Sequence, residues 1–138
     1  VAGDAPLAVT ARVEAVGDGL IRGTGPMYGG TRLHLGLMAR PRVGGVDVVV
    51  ASGKVQLADR EMLRHVGIEP EDAAIIVVKS SVHFRADFAP IAEAILVAAA
   101  PGPVRLDPVE LPFTRLRPEL RLRPFGPTLA ERDATRRS

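Results

Sequence analysis

Residues 7–16 alternate strictly. Leu7, Val9, Ala11, Val13 and Ala15 share one parity, and Thr10, Arg12 and Glu14 the other. A period of two predicts a half-buried strand. Gly17-Asp18-Gly19 predicts a turn, and the glycine-rich residues 23–30 a loop or wide hairpin connection. A second strand is expected over 31–40, with Leu33, Leu35, Leu37 and Ala39 inward and Arg32, His34 and Arg40 outward. Gly44-Gly45 then predicts a tight hairpin into a strand at 46–51. The first half therefore reads as an antiparallel meander.

The pattern changes after residue 57. Residues 58–66 predict a short helix, with Asp59 near its start and Gly67 as its stop. His65 falls in the last turn, where positive charge suits the helix dipole. A turn at 69–72 precedes the apolar run Ala73-Ala74-Ile75-Ile76-Val77-Val78, which predicts a buried strand at 74–79. Strand 46–51, helix 58–66 and strand 74–79 would form a right-handed parallel βαβ unit. Residues 84–92 predict a short helix limited by Pro90, and Ile95-Leu96-Val97 fits either its end or a further strand. The expected fold class is α/β (mixed α+β): a mixed sheet in which the meander precedes the βαβ unit.

Seven of the 12 prolines lie in 101–138, where Leu111, Phe113, Leu116, Leu120, Leu122 and Phe125 are interspersed with arginines. That composition predicts an extended arm packing on something, with a frayed tail at 130–138. The domain division expected is 1–100 for the folded part and 101–138 for the arm.

Composition narrows the classes. The chain has 138 residues, 46% of them hydrophobic, enough for one domain with a core. No apolar stretch approaches the roughly 20 residues that span a bilayer, and no secretory signal is visible. Cysteine is absent, which removes disulfides and thiol nucleophiles and fits a cytoplasmic location. The chain opens on Val1, as expected of a processed product or a fragment. The net charge of +2 is uneven: residues 1–98 carry 10 basic and 11 acidic residues, and residues 99–138 carry 8 and 5. Arginines of the arm are diluted by Glu110, Glu119, Glu131 and Asp133, and stacking aromatics are few, so no nucleic-acid partner is expected. No membrane partner is expected either.

Candidate chemistry concentrates after the run at 73–78, in Lys79-Ser80-Ser81-Val82-His83-Phe84-Arg85-Ala86-Asp87-Phe88. Ligands of open α/β sheets gather beyond the carboxyl ends of such strands. His83 could bind substrate or metal or move protons; equally, it could hydrogen-bond backbone near a helix start. Lys79 and Arg85 could clamp a carboxylate, or Arg85 could pair with Asp87 or Glu93. Ser80 and Ser81 could bind an anion, but such serines more often cap the following helix. His83 and Asp87, spaced i, i+4, would supply two metal positions, yet no third ligand is signalled and no zinc site is expected within the chain. The Gly23-Thr24-Gly25 segment lacks the remainder of a P-loop or dinucleotide fingerprint. Tyr28 could line the same cleft or pack its ring over the glycines.

Several segments occur together in a familiar order: Gly23-Thr24-Gly25-Pro26-Met27-Tyr28-Gly29-Gly30, Arg42-Val43-Gly44-Gly45-Val46-Asp47-Val48-Val49-Val50, residues 78–92, and Leu111-Pro112-Phe113-Thr114-Arg115-Leu116-Arg117. Over about residues 7–120 the chain resembles the carboxy-terminal domain of the MlrC family, the microcystin LR degradation proteins and related zinc metallopeptidase-like hydrolases. The Lys-Ser-x-x-His-Phe-Arg segment is the most specific part. The resemblance implies a two-domain parent whose larger amino-terminal domain holds zinc and the catalytic residues and cleaves amide bonds in peptides. This chain would lack that domain, and also the Asp-Asn-Pro-Gly-Gly segment that opens the family's carboxy-terminal domain. Alone it would be inactive and without zinc. Its partners would be the missing metal-binding domain and a peptide-like substrate, and it could also form a homo-oligomer. Lys79, Ser80, His83, Arg85 and Tyr28 would face the cleft. The competing reading is a non-enzymatic interaction or oligomerisation domain that docks through the arm at 101–127.

Overall fold

A computed structural model describes residues 8–80, 82–98, 107, 109 and 111–137. The chain divides after Leu96 into two compact units. In the first, β1 (Arg12–Gly17), β4 (Met38–Val43), β5 (Val46–Asp47) and β6 (Val50–Ala51) form an antiparallel sheet, with β4 between β1 and the β5/β6 pair. A second, two-stranded sheet pairs β2 (Leu20–Arg22) with β3 (Arg32–His34). The short helices α1 (Glu61–Arg64) and α2 (Arg85–Phe88) and 3-10 turns at Pro70–Asp72 and Ala89–Ile91 complete this unit. The α+β class and the antiparallel meander hold.

The predicted strand 31–40 divides in two because Gly36 takes a left-handed φ of 66°. Leu35 on one side is tied by its N–H to the Gly19 carbonyl (2.9 Å), and its own carbonyl accepts the Gly53 N–H. The break reverses the alternation. Leu35 is buried, but Met38 rather than Leu37 enters the core, and Leu37 is 77% exposed. Phase also slips in β1, where a register irregularity between Val13 and Ala15 lets Ala15 pack on the core while Val13 stays in solvent. β5 and β6 keep one register against β4 and are separated opposite Pro41, which accepts from the Val48 N–H but has no N–H to return. The Gly44-Gly45 hairpin forms as expected, with Gly44 at φ 57°.

The parallel βαβ unit does not form. Residues 74–79 carry no strand, and no backbone–backbone hydrogen bond among the described residues involves them. Hydrophobicity marks this run as a strand, but a strand needs an adjacent edge, and none of the described elements supplies one. Ile75 and Val77 are 83% and 91% exposed. The alternatives for 95–97 resolve to neither: 94–98 has no regular structure, and Leu96 is 91% exposed.

The core consists of Ile21, Leu35, Met38, Met62 and Val66, with Ala15, Tyr28, Leu33, Val49, Leu57 and Ile68 packed against it. Burying each large apolar side chain stabilises by about 1.5–3 kcal/mol. Helix α1 enters through Met62 and ends in a Schellman arrangement: Ile68 N–H donates to Leu63 O (3.1 Å) and Gly67 N–H to Arg64 O (2.9 Å), with Gly67 at φ 73°. The stop predicted at Gly67 is thus present.

The second unit is built differently. Residues 111–127 form no regular element, apart from a bridge between Arg121 and Thr128. Asp107 accepts from the Val109 N–H and pairs with Arg123. Fraying is expected over 130–138, but the described part forms a helix, α3 (Leu129–Arg137). A capping box explains it. Thr128 N–H donates to Glu131 Oε2 (2.7 Å), and Glu131 N–H donates to Thr128 Oγ1 (3.3 Å). The Thr128 backbone and hydroxyl hold the Glu131 carboxyl below its usual range. No helix among the described residues is long and apolar enough to cross a membrane.

Candidate functional site

Two buried carboxylates organise the region where the predicted cluster falls. Asp59, fully buried, precedes α1. Its Oδ1 accepts the Glu61 N–H (3.0 Å), opening the helix, and its Oδ2 accepts the N–H groups of Thr24 (2.9 Å) and Gly25 (2.8 Å). The glycine-rich loop thus offers two adjacent N–H groups to an anion, and the anion is the chain's own aspartate. These two N–H groups are thus taken by an internal carboxylate and are not free for a phosphate.

Asp87 is the second carboxylate, 3% exposed on α2. Its Oδ2 accepts the Arg60 N–H (2.7 Å) and its Oδ1 the Arg60 Nε–H (3.1 Å). A Cβ placed on Gly25 would lie 2.7 Å from Asp87 Oδ2, so glycine is required for the loop to approach α2 this closely. Gly25, Asp59, Arg60 and Asp87 therefore join the loop at 23–30, the start of α1 and the turn at 82–88.

A charged rim extends this joint. Arg60 pairs with Glu71. Arg64 pairs with Glu61 (2.9 Å), Glu69 (2.7 Å) and Glu71 (3.0 Å). Hydrogen bonds to Glu69 and then Glu61 raise the Arg64 guanidinium above its ordinary value. A hydrogen bond with the Glu69 carboxyl, together with Glu71's own backbone N–H and the Arg64 guanidinium, holds Glu71 down at about 2.

The residues expected to face a cleft are distributed unevenly around this joint. Lys79, His83 and Arg85 are exposed. His83 Nδ1 contacts Gln56 Oε1, and the Arg85 guanidinium lies 5.4 Å from the centre of the Phe84 ring. Ser80 is half-buried, and its Oγ has no hydrogen-bond partner among the described residues. It does not cap α2, whose N-cap position is Phe84 and which has no side-chain cap. Ser81 lies outside the described residues. Tyr28 is half-buried against the hydrophobic core, and its carbonyl accepts from the Thr31 N–H and hydroxyl.

His83 and Asp87 do not share a metal-binding face, because Asp87 is committed to Arg60. No group of three or more metal-ligating side chains comes together among the described residues. The described residues therefore assemble no ligand set of the kind a zinc site needs. Sequence reading placed Asp59 near the helix start but missed its hold on the loop, and it missed Arg60 altogether. The available signal was Asp59 followed two residues later by Glu61, an aspartate positioned to cap a helix.

These features define an α+β domain in which two aspartates fasten a glycine-rich loop and a polar turn to one short helix. A family model described as the MlrC C-terminus matches residues 1–115. The chain belongs to that family. No curated protein and no solved structure matches it.

Proposed function

We propose that this domain forms one wall of the active-site cleft in an MlrC-like zinc-dependent peptide or amide hydrolase. The metal and its ligands would lie in the amino-terminal domain of such a protein. The observation carrying this reading is the contrast within residues 79–88: Asp87 is anchored and buried, while Lys79, His83 and Arg85 beside it are exposed. An anchored turn that displays two cations and an imidazole suits a peptide's carbonyl and carboxylate groups. Arg85 and Lys79 would hold the substrate, His83 would hydrogen-bond the reacting amide, and Ser80 would border the site. Tyr28 would support the loop from the core side.

The test is made in a full-length MlrC protein carrying this domain. His83→Ala and Arg85→Ala should each lower turnover about 10²–10³-fold, with bound zinc unchanged. Zinc loss would make His83 a ligand and refute the division between domains. Lowered thermal stability with normal turnover per folded molecule would make both residues structural.

A second reading rests on the exposed Ile75, Val77 and Leu96 of the first unit. Apolar surface of this kind marks interaction sites. Under this reading the domain is an interaction or oligomerisation module, and light scattering of the chain should find a complex rather than a monomer.

A further inference from the structure

We propose that His65 is a proton-operated tie on the turn between β1 and β2. Strand β2 is fastened to the α1 segment at both of its ends. At the far end Asp59 accepts from Thr24 and Gly25. At the near end the Gly19 N–H donates to His65 Nε2 (3.1 Å). Between these ties, Ile21 packs in the core with Met62 and Val66. The histidine tie needs the Nε2 lone pair, so the ring is neutral there with its proton on Nδ1.

The same nitrogen lies 3.3 Å from Asp18 Oδ1. It therefore faces a donor and an acceptor that require opposite protonation states. In the neutral ring Nε2 accepts from Gly19. In the imidazolium Nε2–H is a donor, releases Gly19 and pairs with Asp18. Asp18 Oδ1 already accepts the Leu20 N–H (2.9 Å), so the new pair draws on the same oxygen that shapes the turn. The ring sits in the space left by the missing side chain of Gly17, where a Cβ would lie 2.6 Å from Nε2.

Charged groups on the neighbouring elements are already engaged. Arg64, on α1, is held by Glu61, Glu69 and Glu71. Arg40, on β4, donates from Nη1 to the Gly67 carbonyl (2.5 Å). Asp18 is the carboxylate that faces the ring. Imidazole is the side chain whose charge ordinarily changes between about pH 5 and 8. Protonation of the ring frees the start of β2 and leaves the Asp59 tie at its end intact. The strand leading into the glycine-rich loop is loosened from one side only.

The test is an NMR titration of the full chain from pH 8 to 5. It follows the His65 ring nitrogens, resolved from His34 and His83, together with the Gly19, Thr24 and Gly25 amides. The Gly19 amide should titrate with the same midpoint as His65. Its exchange protection, corrected for intrinsic rate, should fall roughly tenfold, the equivalent of one net hydrogen bond. Thr24 and Gly25 should keep theirs. His65→Gln, whose side-chain oxygen can accept but does not titrate, should abolish the Gly19 response. A Gly19 amide that ignores the His65 titration in the wild-type chain overturns the proposal, whether or not the variant folds. So does a His65→Gln chain with the wild-type pH profile.

Discussion

The α1 neighbourhood and the run at 73–78 are both apolar stretches bordered by charge, yet they behave in opposite ways. Around α1, Met62 and Val66 are buried, and Asp59, Arg60, Glu61 and Arg64 all have partners. Along 74–78 the side chains are more β-branched, yet Ile75 and Val77 stand in solvent and the backbone takes no ladder partner among the described residues. Hydrophobicity alone did not separate the two. Polar ties did. Asp59 and Asp87 bring loop, helix and turn to one place, and the apolar side chains between them are then covered. The run at 74–78 has no such tie among the described residues.

The strongest way to break this contrast is to remove a tie. Asp59→Ala leaves three N–H groups, of Thr24, Gly25 and Glu61, without their acceptor. Hydrogen bonds to a charged group are worth about 1.5–3 kcal/mol each, and buried donors left unpaired add a penalty. The losses overlap, so the expected destabilisation is about 3–5 kcal/mol, read by urea denaturation. Asp59→Asn keeps an acceptor oxygen and should lose less. A loss under about 1 kcal/mol for Asp59→Ala would mean that the core holds the loop without the carboxylate.

Gly25→Ala attacks the same joint from the other side. The new Cβ meets Asp87 Oδ2 at 2.7 Å and Cγ at 2.8 Å, and Arg60 holds that carboxylate from two directions. Overpacking of this kind costs about 1–3 kcal/mol. The double variant Gly25→Ala/Asp87→Ala should recover part of the loss relative to the sum of the single changes, because the two positions are coupled.

How much of this was legible in the sequence follows from the range of each interaction. The Gly44-Gly45 hairpin and the Gly67 stop are local and were readable. So was the capping box at Thr128 and Glu131 in principle, but the prolines around it drew attention to extended structure instead. The inversion at Gly36 was not readable from alternation, because Leu33, Leu35, Leu37 and Ala39 look like one face until a left-handed residue divides them. The polar cluster at 79–88 was visible as residue types. Its division into a buried Asp87 and an exposed His83 was not, because Asp87 is buried by Arg60, 27 positions earlier.

Substitution in the other region should be nearly silent. Val77→Lys places a charge where the side chain is already 91% exposed. Changes at such surface positions usually stay within about 0.5 kcal/mol. Urea denaturation should show this small change, where the same substitution at Val66 should prevent folding. If Val77→Lys costs several kcal/mol, or converts a complex to a monomer in light scattering, then the run is covered in solution and the second functional reading gains ground.

The smallest expected effect lies at the boundary between the two regions. Glu71 is held at about 2 against an ordinary 4.5, first by the Glu69 carboxyl and then by its own N–H and Arg64. Its folded value is depressed, so its contribution is complete above the unfolded value. That contribution is lost as pH falls from about 4.5 toward 2. The group is open to solvent, and exposed pairs are weak and screened by salt. The expected signature is therefore a shallow fall in stability over that pH range, reduced in high salt and absent in Glu71→Gln. A fall of equal size in the variant would assign the acid sensitivity to groups other than Glu71. In that case the pairing of Glu71 with its neighbours would not set how the joint responds to acid.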